Sequence, residues 1–283
     1  MTIEPVNSEQ LISLIGDSRK YTLHSHTEFC DGRAQMEAFA RKAVEMGFDF
    51  YGFSPHSPLP VVSGCNMLAG KVGCYLEEVD NIRRRHGDHV RFLASMEIDY
   101  LGEQWGPSHP FFQSLPLDYR IGSVHFVPTR DNEPIDVDGS PERFAMRMNT
   151  KFNRDIRYVV EKFYEHSIMM VQQGGFEIIG HFDKIGENSS RFAPGIENES
   201  WYMSLVDELI DNIIAKKIIV EINTKVYAER GRLFPAVRYW KKLIDNNVPL
   251  VVNSDAHVPA LIDASRQEVF DMLDSVKKAG TGC

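Results

Sequence analysis

The chain has 283 residues, of which 43% are hydrophobic and 25% are charged, and its formal net charge is -9. This composition is typical of a globular protein with a sizeable core, and the negative charge argues against a surface that coats nucleic acid. It does not exclude an anionic substrate, since bound metal ions can reverse the field inside a site.

Short runs with β character alternate along the chain with segments of helical periodicity. The strand-like runs are 21–23, 48–53, 90–96, 119–124, 177–180, 218–222 and 248–252. The helical segments are 34–46, 73–86, 154–173, 201–215, 236–246 and 265–278. Because this alternation favours parallel βαβ units and no composition break marks a linker, we predict one α/β domain over residues 1–283.

Two segments, 57–73 and 128–149, are rich in Pro, Gly and Asn. Each follows a histidine at the end of a strand-like run, and loops longer than about 12 residues in a compact domain are usually functional or disordered. We therefore predict two long loops above a site. Gly47 follows a helical segment and is expected to end it.

The spacing of the four cysteines argues against two kinds of structural site. Cys30, Cys65, Cys74 and Cys283 form no C-x-x-C pair, which argues against a disulfide scaffold and a thiolate zinc site. The sequence shows no secretion signal and no run of about 18 apolar residues. We expect a reduced, cytoplasmic protein that binds neither nucleic acid nor a membrane; its oligomeric state stays open.

Metal-competent side chains cluster at the ends of the strand-like runs. His24 and His26 are two residues apart at a strand end, so they leave the same face and can chelate one ion. Asp255 and His257 repeat this spacing, and Glu97 ends another run with a carboxylate that can bridge two ions. The structural alternatives are a solvated strand end for Glu97 and a helix N-cap for Asp255.

Three further histidines, His56, His125 and His181, each follow a strand-like run. Taken singly, each suits a core or loop position as well as a metal. The other four histidines fall in helical or polar segments, so the sorting of six to strand ends favours a shared centre, because strand C-termini meet at one edge of a parallel barrel or sheet.

Imidazole and carboxylate ligands without thiolate suit Zn, Fe or Mn. Such ions held a few Å apart lower the pKa of a bridging water and clamp an oxyanion, which is a recurrent solution for phosphoester hydrolysis. The pattern therefore indicates a multinuclear metal centre of a hydrolase.

The motifs in this order resemble the PHP superfamily (polymerase and histidinol phosphatase). They are H24-S-H-T27, C30-D31-G32, S54-P-H56, S95-M-E97, G122-S-V-H125, G180-H-F-D183 and S254-D-A-H257. The resemblance implies a distorted TIM-like (βα)7 barrel with three divalent ions. By motif, the first ion would be held by His24, His26, Glu97 and Asp255, the second by Glu97, His125 and His181, and the third by Asp31, His56 and His257.

Within the superfamily, three features look most like the histidinol-phosphatase branch: G-S-V-H-F at 122–126, an acidic loop with Asp136 and Asp138, and E221-I-N-T224. The resemblance thus implies hydrolysis of L-histidinol phosphate in histidine biosynthesis. Three positions depart from the family pattern: Cys30 replaces a serine, S54-P-H56 replaces T-D-H or T-E-H, and the segment after Thr224 differs.

We predict Glu97, Asp255 and His257 as catalytic residues and a small phosphorylated metabolite as the substrate. The first candidate for phosphate binding is Arg191, expected on a loop above the site, followed by Arg230 and Lys225, because basic side chains supply charge-assisted donors, although each also suits a solvated surface. Asp183 either orients a ligand histidine or caps the next segment. The alternative functions are a phosphodiesterase acting on nucleotides and a metal-binding domain without catalysis.

Overall fold

The computed structural model describes residues 8–280, so Cys283 lies outside the described part. The strands are β1 Tyr21–Thr22, β2 Phe50–Phe53, β3 Arg91–Ala94, β4 Glu97–Asp99, β5 Ile121–Ser123, β6 Phe126–Pro128, β7 Pro134–Asp136, β8 Ile178–Ile179, β9 Ile219–Asn223 and β10 Leu250–Asn253. The helices are α1 Ser8–Asp17, α2 Met36–Glu45, α3 Val72–His86, α4 Pro110–Gln113, α5 Pro141–Lys151, α6 Ile156–Gln173, α7 Ile185–Phe192, α8 Ser200–Lys216, α9 Tyr227–Arg230, α10 Trp240–Asp245 and α11 Arg266–Gly280.

Eight strands form two parallel sheets, ordered β1-β2-β3 and β10-β9-β8-β5-β4. Parallel bridges between Ser25 and Ala256 and between His56 and Glu97 join the two sheets. Since β3 and β4 are successive parts of one bent strand, the ring has seven positions. The predicted distorted (βα)7 barrel is confirmed, and all seven strand-like runs contribute to it.

Apolar side chains from most of these strands fill the barrel. Leu23, Ile121 and Ile219 belong to one buried cluster that also includes residues of α1 and α11. Tyr119 crosses this interior and donates its hydroxyl hydrogen bond to the Leu23 carbonyl. A Cβ at Gly52 would lie only 1.8 Å from the Tyr119 hydroxyl, so this strand position needs a glycine.

The two predicted loops have different structures. Residues 57–68 have no helix or strand, as predicted, and a short 3-10 helix, Ala69–Lys71, then leads into α3. The loop prediction for 128–149 is wrong, because this segment contains β7, which pairs with β6 in a hairpin, and most of α5. Ser140 caps α5 through the backbone N–H of Arg143, and Pro141 occupies its first turn.

The predicted helices are present with shifted ends, and Gly47 follows α2 with φ +66 as expected. The sequence patterns did not predict α1, α4, α5, α7 and α9, of which α7 starts only a few residues after His181. Among the helices of residues 8–280, none is both long enough and apolar enough to cross a membrane. The single-domain assignment stays a prediction.

Candidate metal centre

The barrel collects all nine predicted ligands at the carboxyl ends of its strands. Each side chain belongs to the last residues of a strand, to the segment that directly follows it or, for Glu97, to a strand start beside the kink between β3 and β4. The nine are His24, His26, Asp31, His56, Glu97, His125, His181, Asp255 and His257. Most are buried, and His56, Asp31 and His257 are partly exposed at the outer side.

Glu97 lies at the middle of the cluster and turns its two carboxylate oxygens toward different imidazoles. Its Oε2 is 3.1 Å from His56 Nδ1 and 3.2 Å from His24 Nε2. Its Oε1 is 2.9 Å from His181 Nε2 and 3.5 Å from His125 Nε2. This division suits a carboxylate that bridges two ions, since each oxygen can bind separately.

The outer part of the cluster is arranged around Asp31. Its Oδ1 lies 3.4 Å from His257 Nε2, 3.6 Å from His26 Nδ1 and 3.9 Å from His56 Nε2. Four ligand atoms of Asp31, His26, His56 and His257 fall within 4.8 Å of one another. A second such group comprises His24, His26 and Glu97, and a third comprises His56, Glu97 and His125.

Asp255 connects the inner cluster to the end of β10. Its Oδ1 is 3.1 Å from His26 Nε2 and 4.0 Å from His24 Nε2, while its Oδ2 accepts a hydrogen bond from Asn223 Nδ2. Its backbone has φ +48, a left-handed conformation that Asp tolerates better than most residues. Such conformations are concentrated at functional sites, where the surrounding structure holds them.

Four ligand atoms at the centre are buried and lie close to one another, but none makes a hydrogen bond of suitable angle within residues 8–280: His24 Nε2, Asp31 Oδ1, His56 Nδ1 and Glu97 Oε2. A buried polar atom without a partner costs about 1–3 kcal/mol, and four of them in one small volume call for a missing ligand. Imidazole nitrogens and carboxylate oxygens are the donors that divalent first-row ions prefer. The residues present therefore fit divalent metal ions.

Outer hydrogen bonds orient the imidazoles. His24 Nδ1 is 2.6 Å from Glu221 Oε1, and His125 Nδ1 is 2.6 Å from Asp99 Oδ1. A carboxylate at Nδ1 fixes the tautomer and leaves Nε2 as the ligand atom, as in many metal sites. The sequence reading missed the role of Asp99, although its spacing of two from Glu97 on one strand could have revealed it.

The cluster also controls the charge of its members. Burial opposes ionisation of Glu97, but His24, His125 and His56 outweigh it and hold the pKa of Glu97 well below its usual range. Burial likewise opposes a charged His125, yet Asp99 and Glu97 raise its pKa to about 10. Without bound metal ions, the Glu97 carboxylate and the protonated imidazoles stabilise each other's charges. Bound cations would take the place of the imidazole protons.

Residues 22–225 match the PHP domain family, which is more than half of the chain. The chain belongs to the PHP domain family. The histidinol-phosphatase of Bacillus subtilis (strain 168) is 23% identical over 253 residues, covering 83% of this chain and 92% of that protein.

Two solved structures share the fold of this PHP domain. A Listeria monocytogenes protein assigned as a histidinol phosphatase has a TM-score of 0.76 at 18% identity and covers 88% of this chain and 99% of its own. The histidinol phosphate phosphatase of Lactococcus lactis, solved with Zn, L-histidinol and phosphate, has a TM-score of 0.68 at 18% identity and covers 91% of this chain and 94% of its own.

A cavity of about 450 Å³ opens over the candidate metal centre of this PHP domain. His56, His125 and His257 form its floor, the segment after β2 contributes Ser63, Cys65 and Asn66, and the hairpin and α5 contribute Asp136, Asp138 and Arg143. The segments predicted to lie above the site do so, although one of them is a hairpin and a helix.

Two of the three predicted phosphate-binding side chains line this cavity. Lys225 Nζ is 3.2 Å from Asp255 Oδ1 and 3.3 Å from His257 Nε2, and Arg230 pairs with Glu187. Arg191 was expected on a loop above the site, which is wrong: it lies in the last turn of α7, its side chain is 50% exposed, and it is not among the described residues that line the cavity. Lys184, at the N-cap position of α7, makes no side-chain capping hydrogen bond.

Asp183 contacts backbone rather than a ligand ring. Its Oδ2 accepts a hydrogen bond from the Ala236 N–H at 2.8 Å, and burial raises its pKa to about 7. Its own carbonyl accepts from the Gly186 N–H at the start of α7. Asp183 therefore joins two segments at the barrel end, and Glu221 and Asp99 are the carboxylates that contact the candidate ligands His24 and His125.

Proposed function

We propose that this protein is a metal-dependent phosphomonoesterase that hydrolyses L-histidinol phosphate to L-histidinol and phosphate, within histidine biosynthesis. The observation that supports this most is the set of four buried, unpartnered ligand atoms around Glu97 beneath a cavity with basic side chains. Relatives named histidinol-phosphatase favour the substrate, and one of them was solved with Zn, L-histidinol and phosphate.

The proposed centre holds three ions, with Zn, Fe and Mn as candidates. His24, His26, Glu97 and Asp255 would hold one, Glu97, His125 and His181 a second, and Asp31, His56 and His257 the third. Divalent ions supply Lewis-acid polarisation of phosphoryl oxygens and activation of water. Burial raises the pKa of Asp255, but Lys225 and His24 outweigh this and hold it well below its usual range, which suits a ligand better than a proton donor.

The chain's own residues then bind and orient the ester. The ammonium of Lys225 lies within hydrogen-bond distance of both Asp255 and His257. An anion bound beside these two residues would therefore contact this ammonium. Arg230 pairs with Glu187 at the cavity wall and would contact a polar group of the substrate. A cytoplasmic location remains part of this proposal.

The test is steady-state kinetics on the purified protein loaded with Mn, Zn or Fe, with metal analysis of the same sample. We expect turnover of L-histidinol phosphate and p-nitrophenyl phosphate, and much slower turnover of bis(p-nitrophenyl) phosphate. Lys225→Met should raise KM for the monoesters, whereas Lys241→Met, at an exposed lysine paired with Asp245, should not. Faster hydrolysis of the diester, or no hydrolysis under any metal loading, would contradict the proposal.

A further inference from the structure

Lys184 is a buried cation that opens onto the metal-centre cavity. It directly precedes α7, three residues after His181, and it is 8% exposed. Lys184 is one of the residues that line the cavity, together with Asp138, Lys225 and His257. Lysine is almost never this buried unless a partner of opposite charge compensates for the lost water.

The partners that surround Lys184 leave its donors free. The nearest carboxylate oxygen, Asp138 Oδ2, is 3.6 Å from Nζ, which is longer than a hydrogen bond. Within residues 8–280, Nζ makes no hydrogen bond to another residue, and it lies 5.2 Å from the centre of the Phe234 ring. Three N–H donors of one ammonium are thus held at the cavity by charge and packing, without an acceptor of their own.

The charge on Lys184 is secured by carboxylates around the cavity. Burial lowers the pKa of Lys184, but Asp138, Asp255, Glu187 and Glu97 together raise it above its usual value. The ammonium therefore stays protonated while its hydrogen-bonding capacity remains unused. An anionic ligand in the cavity would supply both a counter-charge and acceptors.

We propose that Lys184 donates a hydrogen bond to a phosphoryl oxygen of the substrate and selects monoesters over diesters. This inference rests on the proposed phosphomonoesterase function. A phosphomonoester carries a charge of about -1.5 to -2 at neutral pH, whereas a diester has lost one ionisable oxygen to the second ester bond. A fixed ammonium facing the reacting group stabilises the additional charge of the monoester and gains less from the diester.

The experiment compares wild type with Lys184→Met, Lys184→Gln and Lys184→Arg, with Lys241→Met as the surface control. Metal content per chain is measured first, and we expect no change, because Nζ contacts no predicted ligand. Titration calorimetry of the metal-loaded proteins then gives the Kd of inorganic phosphate. Kinetics give kcat/KM for p-nitrophenyl phosphate and for its bis ester.

In Lys184→Met we expect the Kd of phosphate to rise, and kcat/KM for the monoester to fall, by about 10- to 100-fold, the range of a charge-assisted hydrogen bond. The value of kcat/KM for the diester should fall much less, so the ratio of kcat/KM for the monoester to that for the diester should fall. Lys184→Arg should keep most of the preference for the monoester. If Lys184→Met does not fold, Lys184→Gln provides the same comparison.

Unchanged phosphate affinity and an unchanged ratio in a folded neutral variant would overturn the assignment. So would an equal loss for both esters, because a merely structural role moves the two together. If wild type hydrolyses neither ester, the proposed function fails, and the phosphate Kd of the variants still decides whether Lys184 binds the anion.

Discussion

Two clusters of buried charge lie in this barrel, and they are completed in different ways. Around Glu97, four buried ligand atoms lack a partner within residues 8–280. Around Arg266, which is 1% exposed, the guanidinium donates to the carbonyls of Val252 and Arg19 and pairs with Asp263. Its plane also lies near the rings of Tyr21, Phe48 and Phe270.

The difference separates a structural cluster from a functional one. The guanidinium of Arg266 is hydrogen-bonded within the protein, so this cluster requires no ligand. It connects β10 to the segment before β1. The cluster around Glu97 is buried at its centre but remains incomplete, and its unpartnered atoms face one another. Burial of charge alone is therefore weak evidence for function, whereas burial with unsatisfied ligand atoms at one point is strong evidence.

The largest expected effect comes from Glu97→Gln. Replacing the shared carboxylate removes the charge that both groups of imidazoles face, and we expect kcat/KM for the phosphomonoester to fall at least about 1000-fold with loss of bound metal. The measurement is turnover and metal content on protein whose circular dichroism matches wild type. Full activity in Glu97→Gln would contradict the metal mechanism.

A smaller effect, on stability rather than activity, is expected from Arg266→Met. This change keeps an apolar side chain among three rings but leaves two backbone carbonyls and Asp263 without their donor, so the free energy of unfolding should fall by about 3 kcal/mol. Urea unfolding in EDTA measures this for both variants. The comparison between the clusters fails if Glu97→Gln destabilises the metal-free protein more than Arg266→Met does.

Local patterns predicted the alternation of strands and helices and the position of the candidate ligands at strand ends, whereas the (βα)7 barrel was implied by the resemblance to the PHP superfamily. Apolar runs of strand length mark the barrel, and His or carboxylate residues just beyond them mark its mouth. The loop prediction for 128–149 is wrong because Pro, Gly and Asn residues obscure the pattern of the apolar positions Ile135, Val137, Phe144 and Met148, which pack into the core. Lys184 carries no local signal, since its burial is decided by Asp138 and Phe234 from distant segments.

The smallest effect should come from Glu221→Gln, which tests how the incomplete cluster is supported. Glu221 is buried, lies 2.6 Å from His24 Nδ1 through Oε1, and accepts from the His181 backbone N–H through Oε2. The amide can keep some of these contacts but lacks the charge that makes His24 a stronger ligand, so we expect metal affinity to fall about 10- to 100-fold.

Competition with a chelator of known affinity measures that loss, and Glu208→Gln, an exposed position in α8, is the matched control. At saturating metal, kcat should recover toward the wild-type value, since Glu221 contacts the ligand histidine and not the cavity. A kcat that stays low at full metal occupancy would instead place Glu221 in the reaction itself. Wild-type metal affinity would show that Glu221 has only a structural role in the barrel, as Asp263 has beside Arg266.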